Sequence, residues 1–137
     1  MAKTLTIGTN YVFPVGSGEV KNDKFYLKKI EGTAFAISKD MFMTAGHVLE
    51  GISAGQDPNY FIGTYNDSES WRAWEFNRFE IHPGCDVGIF HAEVPEAKTA
   101  GWCSEEPYIN GDVYSIGFPF AYDLTNTYIY LDILRGM

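Results

Sequence analysis

Three histidines, His47, His82 and His91, and seven serines are available to this chain, so hydroxyl attack assisted by a base is the first chemistry to weigh. His47 closes the run GTAFAISKDMFMTAGH, in which two short apolar segments lead straight into the ring. A histidine at a strand end is held rigidly while its ring stays reachable. It can act as a general base, because its pKa lies near working pH, or it can be a structural histidine with no chemical task. Asp86 opens a second run, Asp86-Val87-Gly88-Ile89-Phe90. A carboxylate there can fix the tautomer of a histidine ring and stabilise the imidazolium formed during attack. The blander alternative is a turn residue that starts a strand.

The serines are Ser17, Ser38, Ser53, Ser68, Ser70, Ser104 and Ser115. Ser53 sits in Gly51-Ile52-Ser53-Ala54-Gly55, which matches the G-x-S-x-G elbow of α/β-hydrolases, and Asp86 and His91 follow in that family's order. The elbow must join a buried parallel strand to a helix. Here it follows a short turn and precedes Gln56-Asp57-Pro58-Asn59, so a surface loop is expected instead. No C-x-x-C, H-E-x-x-H or EF-hand pattern occurs, and no glycine-rich phosphate loop, so neither metal nor cofactor is expected. The nearest approach to a ligand set is HPGCDVGIFH, with His82, Cys85, Asp86 and His91. Cys85 and Cys103 could pair, but spacing alone cannot bring them within bonding distance. Two buried free thiols are the simpler expectation and suit a reducing cytoplasm.

These residues need a scaffold, and 137 residues suffice for one domain with a real core. The hydrophobic fraction of 45% argues for a globular chain, and aromatics at 16% with fourteen glycines favour strands and turns. Net charge is −8, and the only basic cluster, Lys21, Lys24, Lys28 and Lys29, is explained by a solvated strand edge, so nucleic acid is not an expected partner. No apolar run reaches the ~18 residues of a membrane span, and the start MAKTLTIGTNYVF lacks the apolar stretch of a signal peptide. A cytoplasmic location is therefore expected.

Alternating apolar residues predict strands at Lys24–Ile30, Thr33–Ile37, Met41–Thr44, Tyr60–Tyr65, Arg72–Ile81, Val87–Ala92 and Asp112–Phe118, with a weaker signal at Leu5–Val12. In Arg72–Ile81 the side bearing Ala73, Glu75 and Asn77 should be wet and that bearing Trp74 and Phe76 dry. AGHVLEG allows one helical turn. Many short strands separated by turn signals predict an all-β barrel or sandwich. The segment 123–137 carries a fresh strand pattern, Tyr128–Leu134, with nothing after it to pair against.

Three separated pieces together are more specific than any one: Thr44-Ala45-Gly46-His47, Asp86-Val87-Gly88-Ile89, and Gly117-Phe118-Pro119. In this order they resemble the T-A-[AG]-H, D-[IVL]-[AG]-[LI] and G-[YFN]-P motifs of the trypsin/chymotrypsin-like serine peptidases. GTAFAIS is similar to the hairpin that precedes that family's histidine. The resemblance covers residues 31–119. It implies a six-stranded antiparallel Greek-key barrel over 1–122, the first of two. It also makes 123–137 a linker with the opening strand of a second barrel that is otherwise missing. It implies a serine endopeptidase acting through an acyl-serine, with His47 as base and Asp86 as its orienter, needing no cofactor and taking a peptide or protein as substrate.

The chain departs from the family in one decisive respect. No G-x-S-G-G loop follows Asp86, and the oxyanion hole and specificity pocket belong to the same missing barrel. The half alone is therefore expected to be inactive, and to associate with a second barrel or with itself. Val48 stands where secreted animal members carry a cysteine, which resembles disulfide-poor bacterial or intracellular relatives. The competing expectation is a catalytically inactive single-barrel module that binds a protein partner.

Overall fold

The computed structural model describes residues 11–65, 71–95, 97–99, 113–118, 121–122 and 132–136. They form β1 (Val12–Lys21), β2 (Lys24–Ala36), β3 (Met41–Thr44), α1 (Gly46–Ala54), β4 (Asn59–Tyr65), β5 (Trp71–Phe76), β6 (Phe79–Ile81), β7 (Gly88–His91), β8 (Val113–Gly117), β9 (Ala121–Tyr122) and β10 (Asp132–Gly136). The described residues are mostly antiparallel β-sheet, an all-β fold in which α1 is a short helix.

The main sheet is antiparallel and runs β5-β4-β1-β2-β3-β7-β6, with β9 added onto β2. β1 and β2 form its spine, a long hairpin from Val12↔Phe35 to Lys21↔Lys24. The turn between them is Asn22-Asp23, both at positive φ (52° and 62°), the two-residue geometry whose twist suits a hairpin. Periodicity does not reveal β1, because Phe13 through Gly18 are buried without interruption. A central strand covered on both faces loses its alternation, and Pro14 and two glycines further disguise it. The two strands expected at Lys24–Ile30 and Thr33–Ile37 are one strand, β2, and β1 accommodates its length with register shifts at Val15/Gly16 and Ser17/Gly18. Gly16 permits this close approach: a Cβ there would stand 1.9 Å from the Lys29 carbonyl oxygen.

The core lies on the inner face. Phe42 stacks on Phe90 (5.4 Å between ring centroids) and Phe90 on Phe76 (4.1 Å), while Phe13 meets Phe42 edge-on at 5.8 Å. Val15, Ala34, Leu49, Ile52 and Ile62 complete it. Trp74 and Phe76 turn toward this core and Ala73, Glu75 and Asn77 are exposed, as the alternation predicts. A second cluster, Ile30, Phe61 and Phe118 with Val12, Phe25 and Leu27 against it, covers β1, β2 and β4 from outside.

The sheet departs from a closed six-stranded barrel. The expected strand Arg72–Ile81 breaks at Asn77-Arg78 into β5 and β6, which stand at opposite ends of the pairing order, and among the described residues no ladder joins them. Two residues hold the end of β5 and the start of β6 within about 11 Å, so the sheet curls enough to bring its two edge strands together at this corner. The expectation of an unpaired terminal strand is also corrected. Asp132–Gly136 pairs antiparallel with Val113–Gly117, so the strand finds its partner earlier in the chain. Residues 128–131, Leu5 to Asn10 and Cys103 lie outside the described residues. Cys85 is free, as expected, but exposed rather than buried, because it sits on a turn instead of a strand. No helix of the described residues is long and apolar enough to cross a membrane.

Candidate active site

β3 delivers His47. Its last residue, Thr44, is buried and donates its hydroxyl to the Thr33 carbonyl at 2.7 Å, fastening the strand end to β2. The backbone then turns at Ala45, extended at φ −70° and ψ 143°, into α1, and His47 is the second helical residue. AGHVLEG is thus the start of a nine-residue helix rather than one turn. Val48, Leu49 and Ile52 bury its inner side and carry the chain past the second glycine.

The helix has no capping side chain of its own and no acid in its first turn. Asp86 fills both roles from 39 residues away, accepting the His47 backbone N–H on Oδ1 at 2.8 Å. Its other oxygen, Oδ2, lies 2.6 Å from His47 Nδ1. A carboxylate only accepts, so Nδ1 carries the proton and Nε2 is left as the basic nitrogen. The hydrogen bond from the His47 ring, foremost, then those from the His47 and Gly46 backbone, hold the Asp86 carboxyl below its ordinary pKa. The positive end of a helix acts in the same direction.

Asp86 reaches this position from the loop His82–Val87 between β6 and β7. Ladder pairs fix both ends of that loop, Thr44↔Gly88 joining β3 to β7 and Ile81↔Gly88 joining β6 to β7. Gly46 makes the approach possible: a Cβ there would lie 3.1 Å from Ile81 Cγ2, 3.2 Å from Asp86 Oδ1 and 3.3 Å from the Val87 nitrogen. The pair lies open, with the His47 side chain 70% and that of Asp86 59% exposed.

The other residues singled out by the sequence do not join this pair. Ser17 is buried and donates to Asp57 Oδ2 at 3.2 Å. Ser53 lies in the last turn of α1, its hydroxyl on the Glu50 carbonyl at 3.1 Å, which is the reverse of an elbow leading into a helix. Ser115 is on β8; Ser68, Ser70 and Ser104 lie outside the described residues. His91 pairs with Met41 on β7, three ladder positions from Thr44↔Gly88, while His82, Cys85 and Asp86 lie in the loop before that strand, so HPGCDVGIFH is divided between loop and strand. Among the described residues no three of His, Cys, Asp and Glu group to hold a metal ion. Grooves of about 410 and 720 Å³ both border Asn77, Arg78 and His91 but not the His47–Asp86 pair.

Two contributors escaped the sequence reading. The capping role of Asp86 depends on a long-range approach, although the missing cap before Gly46 was a signal. The second is the hydrogen bonding within the His82–Val87 loop, described below. Compared with known proteins, the sequence matches no family model and no curated protein.

Proposed function

We propose that this chain is the histidine- and aspartate-bearing barrel of a trypsin-like serine endopeptidase. The observation that carries this reading is the double hydrogen bond of one carboxylate to the ring and backbone of His47. That arrangement orients an imidazole whose Nε2 is ready to take a hydroxyl proton, and it places negative charge where the imidazolium forms. Peptide hydrolysis would pass through an acyl-serine intermediate without a cofactor.

The curled sheet supports the barrel reading. With β5 and β6 counted as one strand bent at Asn77-Arg78, six strands surround the core, in keeping with a Greek-key barrel. The exposed free thiol of Cys85 suits a reducing, cytoplasmic setting.

The nucleophile is absent from the pair's surroundings as described, and no G-x-S-G-G loop follows Asp86 in the sequence. In this reading a second barrel supplies it, together with the oxyanion hole, and docks beside the pair. Ladder partners Val12, Phe35, Met43 and Ile89 line up in one row on the outer face of β1, β2, β3 and β7. Phe35 in that row is 44% exposed. Met43 and Ile89 stand one ladder step from Thr44↔Gly88, so the apolar row adjoins the site.

The test is to identify a serine-bearing second half, encoded downstream or on a companion chain, and to combine it with this chain. Hydrolysis of a mixed peptide library that appears only in the combination, and disappears in His47→Ala, is the expected result. A combination that forms but stays inactive, or activity that survives His47→Ala, overturns the peptidase reading. The same row would then favour a binding module for a protein partner.

A further inference from the structure

All six residues of the loop that presents Asp86, His82 to Val87, are exposed, so no core packing sets its shape. Backbone hydrogen bonds do part of that work. The His82 N–H donates to the Val87 carbonyl at 2.8 Å, closing the loop, and the Val87 N–H donates to the Cys85 carbonyl at 2.8 Å. One bond comes from a side chain: the Gly84 N–H points at His82 Nδ1, 2.9 Å away. A backbone N–H can only donate, so Nδ1 of His82 is the unprotonated nitrogen and the ring proton sits on Nε2.

The ring therefore serves as an acceptor for the amide two residues on, the task that Asn and Asp side chains perform in turns. Pro83 lies between donor and acceptor and has no N–H to compete for the ring. The Asp86 carboxylate must meet His47 at two atoms, 2.6 and 2.8 Å away, from a loop with no buried anchor. Its placement then depends on what holds the first half of the loop in shape.

We infer that His82 is a positioning residue, whose imidazole braces the His82–Val87 loop and thereby sets the Asp86 carboxylate against His47. The inference builds on the role proposed for Asp86, but it concerns the geometry of the pair and not turnover. Its readouts are therefore spectroscopic, and it can fail while the peptidase reading stands, or the reverse.

The experiment is nuclear magnetic resonance on the ¹⁵N-labelled chain at neutral pH. In the wild-type protein the ring nitrogens of His82 should report the Nε2–H tautomer, and the Nδ1–H tautomer would overturn the inference without any variant. His82→Phe keeps a ring and removes the acceptor. One neutral hydrogen bond corresponds to about a fivefold change in a local opening equilibrium. Solvent exchange of the His47 Nδ1 proton should therefore speed up about fivefold, with the core amides unshifted. His82→Asn, which restores an acceptor at the same place, should return the exchange rate toward wild type. Unchanged exchange in folded His82→Phe, or a folded His82→Asn no better than His82→Phe, overturns the inference.

Discussion

Asp86 reaches across 39 residues to hold both the backbone N–H and the ring Nδ1 of His47, at 2.8 and 2.6 Å. One carboxylate thus caps a helix and orients an imidazole, and the two tasks cannot be separated by moving the loop. Asp86→Asn keeps an acceptor but turns an amide N–H toward one of two donors. The strongly downfield Nδ1 proton of His47 should disappear from the proton spectrum. In a reconstituted peptidase, kcat should fall about 10⁴-fold with little change in fold, the size seen when such an orienter loses its charge.

The lowered pKa of Asp86 fixes the sign of a pH effect. The folded state binds this proton less readily than the unfolded one, so the group's contribution to stability is complete above the ordinary aspartate range. It is lost as pH falls from about 4 through the lower folded value. The difference in urea midpoint between wild type and Asp86→Ala should be larger at about pH 5 than at pH 3, shrinking as the pH drops between them. A difference that persists unchanged at pH 3 would show that charge is not involved.

Gly46→Ala tests the closeness of the loop. Alanine favours a helix interior over glycine by about 1 kcal/mol, a gain that applies only in part at this first helical residue, and its Cβ would sit 3.2 Å from Asp86 Oδ1 and 3.3 Å from the Val87 nitrogen. The loop must yield by a few tenths of an ångström. The expected outcome is a melting temperature within a few degrees of wild type and an upfield move of the His47 Nδ1 proton as its hydrogen bond lengthens.

Phe90→Ala removes the ring stacked between Phe42 and Phe76 in the centre of the core. Loss of a fully buried phenylalanine costs about 3–5 kcal/mol. Urea denaturation should show a drop of that size, large enough to unfold a marginally stable domain at 25 °C.

Phe35→Glu addresses association. With Phe35 44% exposed in an apolar row beside the site, the isolated chain is expected to self-associate at high concentration. Light scattering should show the mass falling toward monomer in Phe35→Glu with an unchanged circular dichroism spectrum. A monomeric wild-type chain would remove the basis for docking at this face.

The sequence by itself determined the all-β class, the strand ending at Thr44 and the dry side of Trp74 and Phe76, and it singled out His47 and Asp86. Those features are local: a period of two, turn chemistry and short motifs are written in neighbouring residues. The tertiary structure decided what depends on distant approach. β1 is legible only once the main core packs on one of its faces and the cluster of Ile30, Phe61 and Phe118 on the other, since burial on two sides erases alternation. The break at Asn77-Arg78 separates β5 from β6, which join opposite edges of the sheet, so one continuous strand could not pair as both do. The helix at Gly46 runs beyond one turn because Leu49 and Ile52 find a core to enter, which weak local propensity would not support. The hydrogen bonds between His47 and Asp86 exist because β3 and β7 are ladder neighbours, a pairing that no spacing along the chain specifies.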